Sequence, residues 1–325
     1  MSHEPRPRAR RRTVLAALSA GVIAAGGLAV ATPSPALAYE TSPVGFASLN
    51  GGTSGGSAST VVTVTTASAL ASALSSGTSQ TVRVSGLISI SGMYSVASNK
   101  TIIGVGSGSG VTGGGFNLNS VRNVIIRNLV FRNANDDSIN VQEGSTNIWI
   151  DHNDLSNGYD GLIDIKRGSD YITVSWNRLH NHDKSMLLGH SDDNASQDTG
   201  KLRVTYVHNW FEGTGQRHPR VRFANPVHVL NNYYSNIGSY GVASTENAGV
   251  FVERNYFENV ANPTITQTGD SDAGNLKVLN NYKVNSGTEV VRNGASVAAI
   301  PYSYTPEANS TVKATVTAGA GTGKI

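Results

Sequence analysis

A short hydrophobic template recurs along this chain and restricts the folds open to it. The template reads apolar-x-apolar-x-x-Asn, and its six copies are separated by 24, 32, 23, 23 and 26 residues. Because apolar residues alternate with other residues, each copy is typical of a strand with one buried face. The copies end at Asn153, Asn177, Asn209, Asn232, Asn255 and Asn281.

Steps of this length are too short for strand-helix-strand units, but they suit one turn of a coil made of short strands and tight bends. Such coils stack so that each buries the apolar face of the next, at the ~4.8 Å spacing of paired strands. The sequence therefore predicts an all-β fold, a parallel β-helix, in which the recurrent Asn side chains form a hydrogen-bonded ladder. A second column should stack beside the ladder, formed by Trp210, Tyr233, Tyr256 and Tyr282.

Equivalent positions on successive coils carry opposite charges. Asp160 and Lys184 each lie seven residues, and Arg217 eight residues, after the ladder Asn of their own coil. Asp164 follows Asp160 by four residues, and Arg222 follows Arg217 by five. In an extended segment, residues four apart point from the same face. We therefore expect a groove that is acidic at one end and basic at the other.

Residues 1–38 are predicted to be an export signal. Five arginines precede an apolar run from Val14 to Ala31, and Ala36-Leu37-Ala38 offers a small-residue cleavage site. The pair Arg11-Arg12 resembles a twin-arginine signal. The alternative is a membrane anchor, which the Ala- and Gly-rich run and the following Thr32-Pro33-Ser34-Pro35 disfavour. Residues 39–325 are then expected to form a single β-helix domain.

Removal of the signal changes the charge of the chain. The signal holds five of the 25 basic and one of the 22 acidic residues, which leaves 20 basic and 21 acidic residues and a net charge of −1. The basic character of the whole chain thus belongs to the signal, and no nucleic-acid partner is expected. With no cysteine, the exported domain must depend on its own core or on a metal.

The structure of four segments outside the repeat can also be predicted. The Gly- and Ser-rich residues 39–60 are typical of a flexible linker. A short helix over Ala67–Leu74, capped by Thr66, is predicted to cover the open end of the coil. The polar stretch Asp192–Gly200 accounts for the single long step and should be a loop near the groove. Pro301–Ile325 should run back over the outside of the coil.

Three carboxylates, Asp151, Asp160 and Asp164, lie close together in the sequence of one coil. Crowded carboxylates repel unless a proton or a cation intervenes. All-oxygen ligation suits a hard cation such as Ca²⁺, whose shell of about six to eight oxygens would be completed by water or by a ligand carboxylate. The alternative is that Asp160 and Asp164 pair with Lys166 or Arg167.

Lys184, Arg217 and Arg222 are candidate contacts for an anionic ligand. Arg presents a fork of donors that fits a carboxylate, and a long groove suits a long acidic polymer. The alternative is a structural ladder of salt bridges along the solenoid, and Arg220 is explained well enough as a surface residue on a bend.

Four segments, in order, resemble the pectate lyase family, whose fold is a right-handed parallel β-helix. The resemblance runs from about Gly45 to the C-terminal end. The segments begin with or include Trp149-Ile150-Asp151-His152-Asn153, Asp160-Gly161-Leu162-Ile163-Asp164-Ile165-Lys166-Arg167-Gly168, His182-Asp183-Lys184 and Arg217-His218-Pro219-Arg220-Val221-Arg222-Phe223.

The resemblance implies cleavage of polygalacturonate by β-elimination in a secreted monomer. Ca²⁺ would bridge the enzyme to the uronate carboxylate, which Lys184 and Arg222 would also hold, while Arg217 takes the proton from carbon 5. Since arginine is a weak base at neutral pH, we expect an alkaline optimum. The implied calcium ligands are Asp151, Asp160 and Asp164.

Three other functions remain open on the sequence. A pectin lyase would act on methyl-esterified chains without the calcium carboxylates. A β-helix hydrolase would need paired carboxylates as acid and base, which leaves the Lys-Arg column unexplained. A carbohydrate-binding β-helix without activity would bind the polymer and form no unsaturated product.

Overall fold

Residues 40–325 form a parallel β-helix, which confirms the predicted fold class. The computed structural model describes residues 1–2 and 40–325 of the chain. Each full coil contributes three short strands, and each strand pairs in parallel with its counterpart in the next coil. One wall of the coil is a ten-stranded sheet, and the other two walls belong to a fifteen-stranded sheet.

We number the walls in the order in which the chain visits them. The first wall consists of Val61–Val64, Gln80–Val84, Lys100–Gly104, Arg122–Arg127, Thr146–Asp151, Asp170–Ser175, Val204–Val207, Val227–Leu230, Gly249–Glu253 and Asn275–Leu279. The second wall consists of Val130–Arg132, Asp154–Ser156, Arg178–His180, Trp210–Glu212, Tyr233–Ser235, Tyr256–Glu258 and Tyr282–Val284. The third wall consists of Ile139–Gln142, Ile163–Ile165, Met186–Leu188, Arg220–Arg222, Val242–Thr245 and Thr264–Ile265. The long strand Gly110–Asn119 joins the second and third walls and also pairs with Leu87–Ser95.

The predicted Asn ladder is present at the corner between the first and second walls. Asn177 shows the pattern: its Nδ2 donates to Asn209 Oδ1 at 3.0 Å and to the Ile150 carbonyl at 3.0 Å. Its own Oδ1 accepts from the backbone N–H and the Nδ2 of Asn153, at 3.0 and 2.9 Å. Each buried amide is therefore satisfied by the coils on either side.

A left-handed backbone residue turns the chain into this corner. The residue just before the ladder Asn has a positive φ, for example 51° at His152, 53° at Trp176 and 51° at Asn231. This conformation reverses the chain direction within one residue, and it is tolerated outside glycine mainly where local hydrogen bonds hold it.

The core fills the space between the three walls. Alternate strand residues point inward and meet their counterparts in register, as Ile148 meets Ile172 and Ile172 meets Val204. All three are fully buried. On the second wall, Phe211 and Tyr234 stack inside with ring centroids 4.9 Å apart, so this wall contributes a column of aromatic residues to the core.

The predicted aromatic column outside the ladder is present, but its geometry is not uniform. Trp210 and Tyr233 stack at 6.1 Å, and Tyr256 and Tyr282 lie 4.9 Å apart with a 35° tilt. Tyr233 and Tyr256 instead meet edge to face, with ring centroids 5.6 Å apart and an interplanar angle of 85°. Both arrangements are favourable for aromatic pairs, so coil spacing alone does not impose parallel rings.

The helices lie at the ends and on the outside of the coil. The predicted N-terminal helix spans Ala67–Ser75, and Thr66 Oγ1 accepts from Ala69 N at 3.3 Å. Its Leu70 and Leu74 are buried in the main core, while its role as an end cap stays a prediction. The other helical segments are Ala195–Asp198, Val312–Gly319 and the 3-10 turns Gly45–Ser48 and Gly294–Ser296.

The expectation of a flexible linker over residues 39–60 is wrong for its central part. Phe46 and Ala47 are fully buried, and their backbone N–H groups donate to Thr205 and Thr173 of the first wall, each at 3.1 Å. Gly and Ser are used here because the segment lies close against the wall, so their small size allows contact.

The C-terminal segment runs back over the outside of the coil, as predicted. The Tyr302 hydroxyl lies 2.6 Å from Thr205 Oγ1, and Gly321 N donates to the Trp176 carbonyl at 2.8 Å. The segment thus lies against the first wall at Tyr302, packs the helix Val312–Gly319 on Tyr233 of the second wall, and ends beside earlier coils.

The predicted export signal, residues 1–38, lies almost entirely outside the described residues. Within the described residues, no helix has the length and apolar character needed to cross a membrane. The boundaries of the signal and of the 39–325 domain stay predictions.

We expect Asn209→Ala to lower the free energy of unfolding by more than about 3 kcal/mol. The substitution removes the acceptor of the Asn177 backbone N–H and one of the two acceptors of Asn177 Nδ2. It also removes the side-chain donor to the Val174 carbonyl and to Asn232 Oδ1, so four buried hydrogen bonds are lost. Urea denaturation followed by circular dichroism measures the change. Asn262→Ala, which removes an exposed amide, is the control, and equal losses in the two variants would contradict the role of the ladder.

Candidate functional site

The candidate site is a groove formed by the loops that join the second wall to the third and by the outward face of the third wall. Lys184 Nζ donates to Asp160 Oδ1 at 2.8 Å, across one coil step. Lys184 forms a backbone bridge with Gln216, and Met186 N donates to the Arg217 carbonyl at 2.7 Å. The structure therefore brings Asp160, Lys184 and Arg217 together on three successive coils, as the spacing predicts.

Two further carboxylates, which the sequence prediction did not include, lie beside Asp160. Asp136, Asp137 and Asp160 each place an oxygen so that the three lie within 4.8 Å of one another. Asp136 precedes Asp160 by 24 residues, which is one coil step, so comparison with the preceding coil would have found it. We call Asp136, Asp137, Asp160 and Asp164 the acidic cluster.

Gly161 gives the acidic cluster its room. A Cβ at this position would lie 2.2 Å from Asp164 Oδ1 and 2.9 Å from Asp137 Oδ1. The Gly161 N–H also donates to Asp137 Oδ1 at 2.8 Å. The two carboxylates thus converge on the space that any other side chain would occupy.

Crowding changes the protonation of the acidic cluster. Burial, and then the charge of Asp137, raise the pKa of Asp164 to about 8. Burial also raises the pKa of Asp137, against the opposing charge of Lys166, whose Nζ is 3.2 Å away. The hydrogen bond from Lys184 lowers the pKa of Asp160. Burial and crowding therefore disfavour the ionised forms of Asp164 and Asp137, and a bound cation would favour them.

Asp151 does not join this cluster, so the predicted grouping of three carboxylates is corrected. Its carboxylate is fully buried on the first wall, where it accepts from Arg127 Nε at 2.7 Å and Ser175 Oγ at 2.6 Å and lies 2.7 Å from His152 Nδ1. The coil corner at Asn153 turns the chain away from the first wall before it reaches Asp160. Asp151 is a structural counter-ion within the coil wall.

The basic end of the groove is formed by Lys184, Arg217 and Arg222, which we call the basic row. Arg217 has a positive φ of 65°, and its buried Nε has no hydrogen-bond partner among the described residues. Arg222 is 7% exposed and is held by Asp192 and by the Gly189 carbonyl. Because its guanidinium is not tied to a carboxylate among the described residues, Arg217 is the group in the row best placed to exchange a proton with a ligand.

His218 supports the segment that carries Arg217. Its Nδ1–H donates to the Tyr240 carbonyl at 2.9 Å, and its Nε2 accepts from the Thr214 hydroxyl at 2.8 Å. Complete burial lowers the pKa of His218 to about 4. The ring is therefore neutral near pH 7 and holds the loop in place, and both of its nitrogens are engaged away from the groove.

A cavity of about 1080 Å³ lies next to the third wall, but it is separate from these charged groups. Phe223, Asp272 and Arg292 line it together with Thr199 of the inserted loop. No member of the acidic cluster or the basic row lines it. We therefore place the site in the open groove, which a polymer can enter from the side.

The groove combines two complementary capacities. The acidic cluster offers oxygen ligands to a hard divalent cation, and the basic row offers donors to a carboxylate. Together they suit a ligand whose carboxylates lie between a cation bound at the acidic cluster and the positively charged side chains of the basic row. Salt bridges do occur, such as Lys184 with Asp160, so the alternative of a structural ladder is correct for part of the row.

Known proteins resemble this chain over most of its length. A family model described as pectate lyase matches residues 11–325. The chain is 40% identical over 276 residues to a probable pectate lyase B from Aspergillus terreus, covering 82% of this chain and 84% of that protein. It is 37% identical over 300 residues to a pectate trisaccharide-lyase from Bacillus licheniformis, covering 86% of each. A solved pectate lyase from Bacillus sp. N165, in complex with trigalacturonate, matches with a TM-score of 0.77 and 32% identity, covering 87% of this chain and 99% of that chain.

We expect Asp151→Ala to destabilise the fold and Asp160→Ala to leave it nearly unchanged. Removing Asp151 leaves Arg127 and Ser175 without their buried partner, at a cost of about 3–5 kcal/mol. Asp160 has a side chain that is 43% exposed, so its removal should cost less than about 1 kcal/mol. Urea denaturation in the presence of EDTA compares the two, and similar costs would contradict the separate roles of the two carboxylates.

Proposed function

Because the chain belongs to the pectate lyase family, and is thus a polysaccharide lyase, we propose that it is secreted and cleaves polygalacturonate by calcium-assisted β-elimination. The observation that carries the proposal is the acidic cluster, which lies one coil from the basic row. A pectin lyase acting on methyl esters would need no such cluster, and the pectate lyase names of the relatives favour the same choice.

The acidic cluster fits a calcium ion. Asp137, Asp160 and Asp164 would hold it, with Asp136 at the exposed edge, and Asp151 is no longer among the proposed ligands. The fit rests on the carboxylate oxygens that converge in the space left by Gly161 and on the donor set itself, which is all oxygen as a hard cation prefers. When bound, the ion supplies positive charge that offsets a uronate carboxylate and makes the neighbouring C–H more acidic.

The basic row performs the remaining steps. Lys184 and Arg222 hold the uronate carboxylate, whose negative charge grows as the carbon 5 proton leaves. Arg217, in its neutral form, takes that proton. The C–H electron pair becomes the double bond between carbons 4 and 5, the bond from carbon 4 to the glycosidic oxygen breaks, and the departing oxygen takes a proton from water. Because the high pKa of arginine keeps it protonated at neutral pH, the neutral form that accepts the proton becomes more abundant as the pH rises, and activity should be highest at alkaline pH.

The substrate class is supported by the shape of the groove and by one relative. The groove is open rather than enclosed, which suits an internal stretch of a polymer. The Bacillus sp. N165 pectate lyase is in complex with trigalacturonate, and we extend that ligand class to this chain. We also propose that the working form is a monomer, exported by means of residues 1–38.

Product formation tests the proposed reaction and the proposed base. The mature chain with polygalacturonate at pH 8–9 and Ca²⁺ should produce absorbance near 235 nm, since an unsaturated uronate is conjugated. EDTA should abolish the rise, and Arg217→Ala should lower kcat by at least about a hundredfold, the usual contribution of a general base. Arg83→Ala, an exposed arginine of the first wall, is the matched control.

The other outcomes of that assay are decisive. A rise that survives EDTA would favour a pectin lyase, and new reducing ends without absorbance would indicate a hydrolase. An optimum near pH 5 would contradict Arg217 as the base. Binding of the polymer with neither signal would leave only a carbohydrate-binding role.

The second prediction concerns the cation. We expect Gly161→Ala to weaken Ca²⁺ binding by at least about tenfold, because the new methyl group would displace Asp164 and Asp137. Isothermal titration of the metal-free protein measures the affinity. Gly77→Ala is the control, since a Cβ there meets no atom within 4 Å. Equal affinities for the two variants would show that the cation binds elsewhere.

A further inference from the structure

The inserted loop Asp192–Gly200 contacts the basic row at one residue. Arg222 Nε donates to Asp192 Oδ1, and Arg222 Nη1 donates to the Gly189 carbonyl at 2.8 Å. In the described part of the chain, Nη2 of Arg222 has no hydrogen-bond partner. Two of the three guanidinium nitrogens are therefore held by the protein, and Nη2 is left for a ligand.

Asp192 is itself held in place from a distant coil. The Ser271 hydroxyl lies 2.8 Å from each oxygen of the Asp192 carboxylate. Ser271 is fully buried, and its Oγ accepts from Arg220 Nη2 at 2.7 Å. A continuous chain of contacts thus runs from Arg220 through Ser271 and Asp192 to Arg222.

The negative charge of Asp192 also offsets the positive charge of the neighbouring arginines. Arg217, Arg220 and Arg222 lie within six residues of sequence, and the burial of Arg220, then the charge of Arg222, lower the pKa of Arg220. Against its partial burial, hydrogen bonds from Arg222 and Ser271 lower the pKa of Asp192, so it stays ionised. One carboxylate therefore offsets the mutual repulsion of two neighbouring guanidinium groups.

We propose that Asp192 is a positioning residue that acts through Arg222, an inference that rests on the proposed pectate lyase function. Asp192 occupies Nε and the Gly189 carbonyl occupies Nη1. Asp192 therefore orients the guanidinium so that Nη2 can reach the substrate carboxylate, and it does not compete with that carboxylate. The inserted loop thereby determines how tightly an acidic polymer is held at the basic end of the groove.

The test is a double-mutant cycle on elimination activity. Asp192→Asn keeps the shape and removes the charge, Arg222→Gln removes the group through which Asp192 acts, and the double variant combines them. Initial rates of the 235 nm absorbance over a range of polygalacturonate concentrations give kcat and KM. Asp193→Asn, an exposed acid next in sequence, is the matched control for loss of one charge.

We expect Asp192→Asn to lower kcat/KM by about tenfold or more, because a misplaced contact group is costly to the reaction. Most of this should appear as a raised KM. In the Arg222→Gln background the same change should alter kcat/KM by less than about twofold, since the two residues act as one unit. Ser271→Ala should change KM in the same direction with the charge intact, which covers the case in which Asp192→Asn folds poorly.

The outcomes separate the two proposals. If the unmodified chain forms no 235 nm product, the proposed function fails and this inference fails with it. If the unmodified chain is active and Asp192→Asn matches Asp193→Asn, only the role of Asp192 is overturned. Additive losses in the double variant would also overturn it, because a general structural effect does not depend on Arg222. A gain in activity with Asp192→Asn would show that Asp192 competes with the substrate.

Discussion

A buried amide that must find partners in the neighbouring coils is the constraint on which this structure depends. Asn153, Asn177, Asn209, Asn232 and Asn255 are inaccessible to solvent, and each donates to the next rung and to a carbonyl of the preceding coil. A coil shifted by one residue would leave several of these groups unpaired at once. The ladder thus fixes the register of all three walls, and every outward-facing group inherits its position from it.

Fixed register explains why like charges can be held together in the groove. Asp136 and Asp137 lie on one coil, Asp160 lies on the next, and Asp164 belongs to the third wall. No single loop can therefore move to relieve their repulsion. Burial, and then the nearby charge of Asp137, raise the pKa of Asp164. The same register places Lys184 against Asp160, so the boundary between acidic and basic ends is only one coil wide. A ligand that bridges this boundary gains from both sides.

The sequence predicts most of the fold because the spacing of the repeat gives the length of each coil, but it predicts the site only in part. Asp160, Lys184 and Arg217 are recovered because each is counted from a ladder Asn. Asp136 and Asp137 are missed because Leu129 takes the ladder position in their coil, so the count begins one coil too late. Asp151 is wrongly grouped because nearness in sequence does not show the corner at Asn153. The packing of Phe46 depends on Thr205, far along the chain, which no local pattern indicates.

The loop Asp192–Gly200 lengthens one coil step to 32 residues, yet Asn177 Nδ2 still donates to Asn209 Oδ1 at 3.0 Å in the ladder. Loop length is therefore uncoupled from the positions of the reacting groups. Related chains with this architecture can diverge in substrate preference by exchanging corner loops while the reaction geometry stays constant. Substitutions and insertions in such a protein should accumulate at the corners, where they alter which ligand is bound. They should be rare along the Asn ladder, where they would alter whether the chain folds.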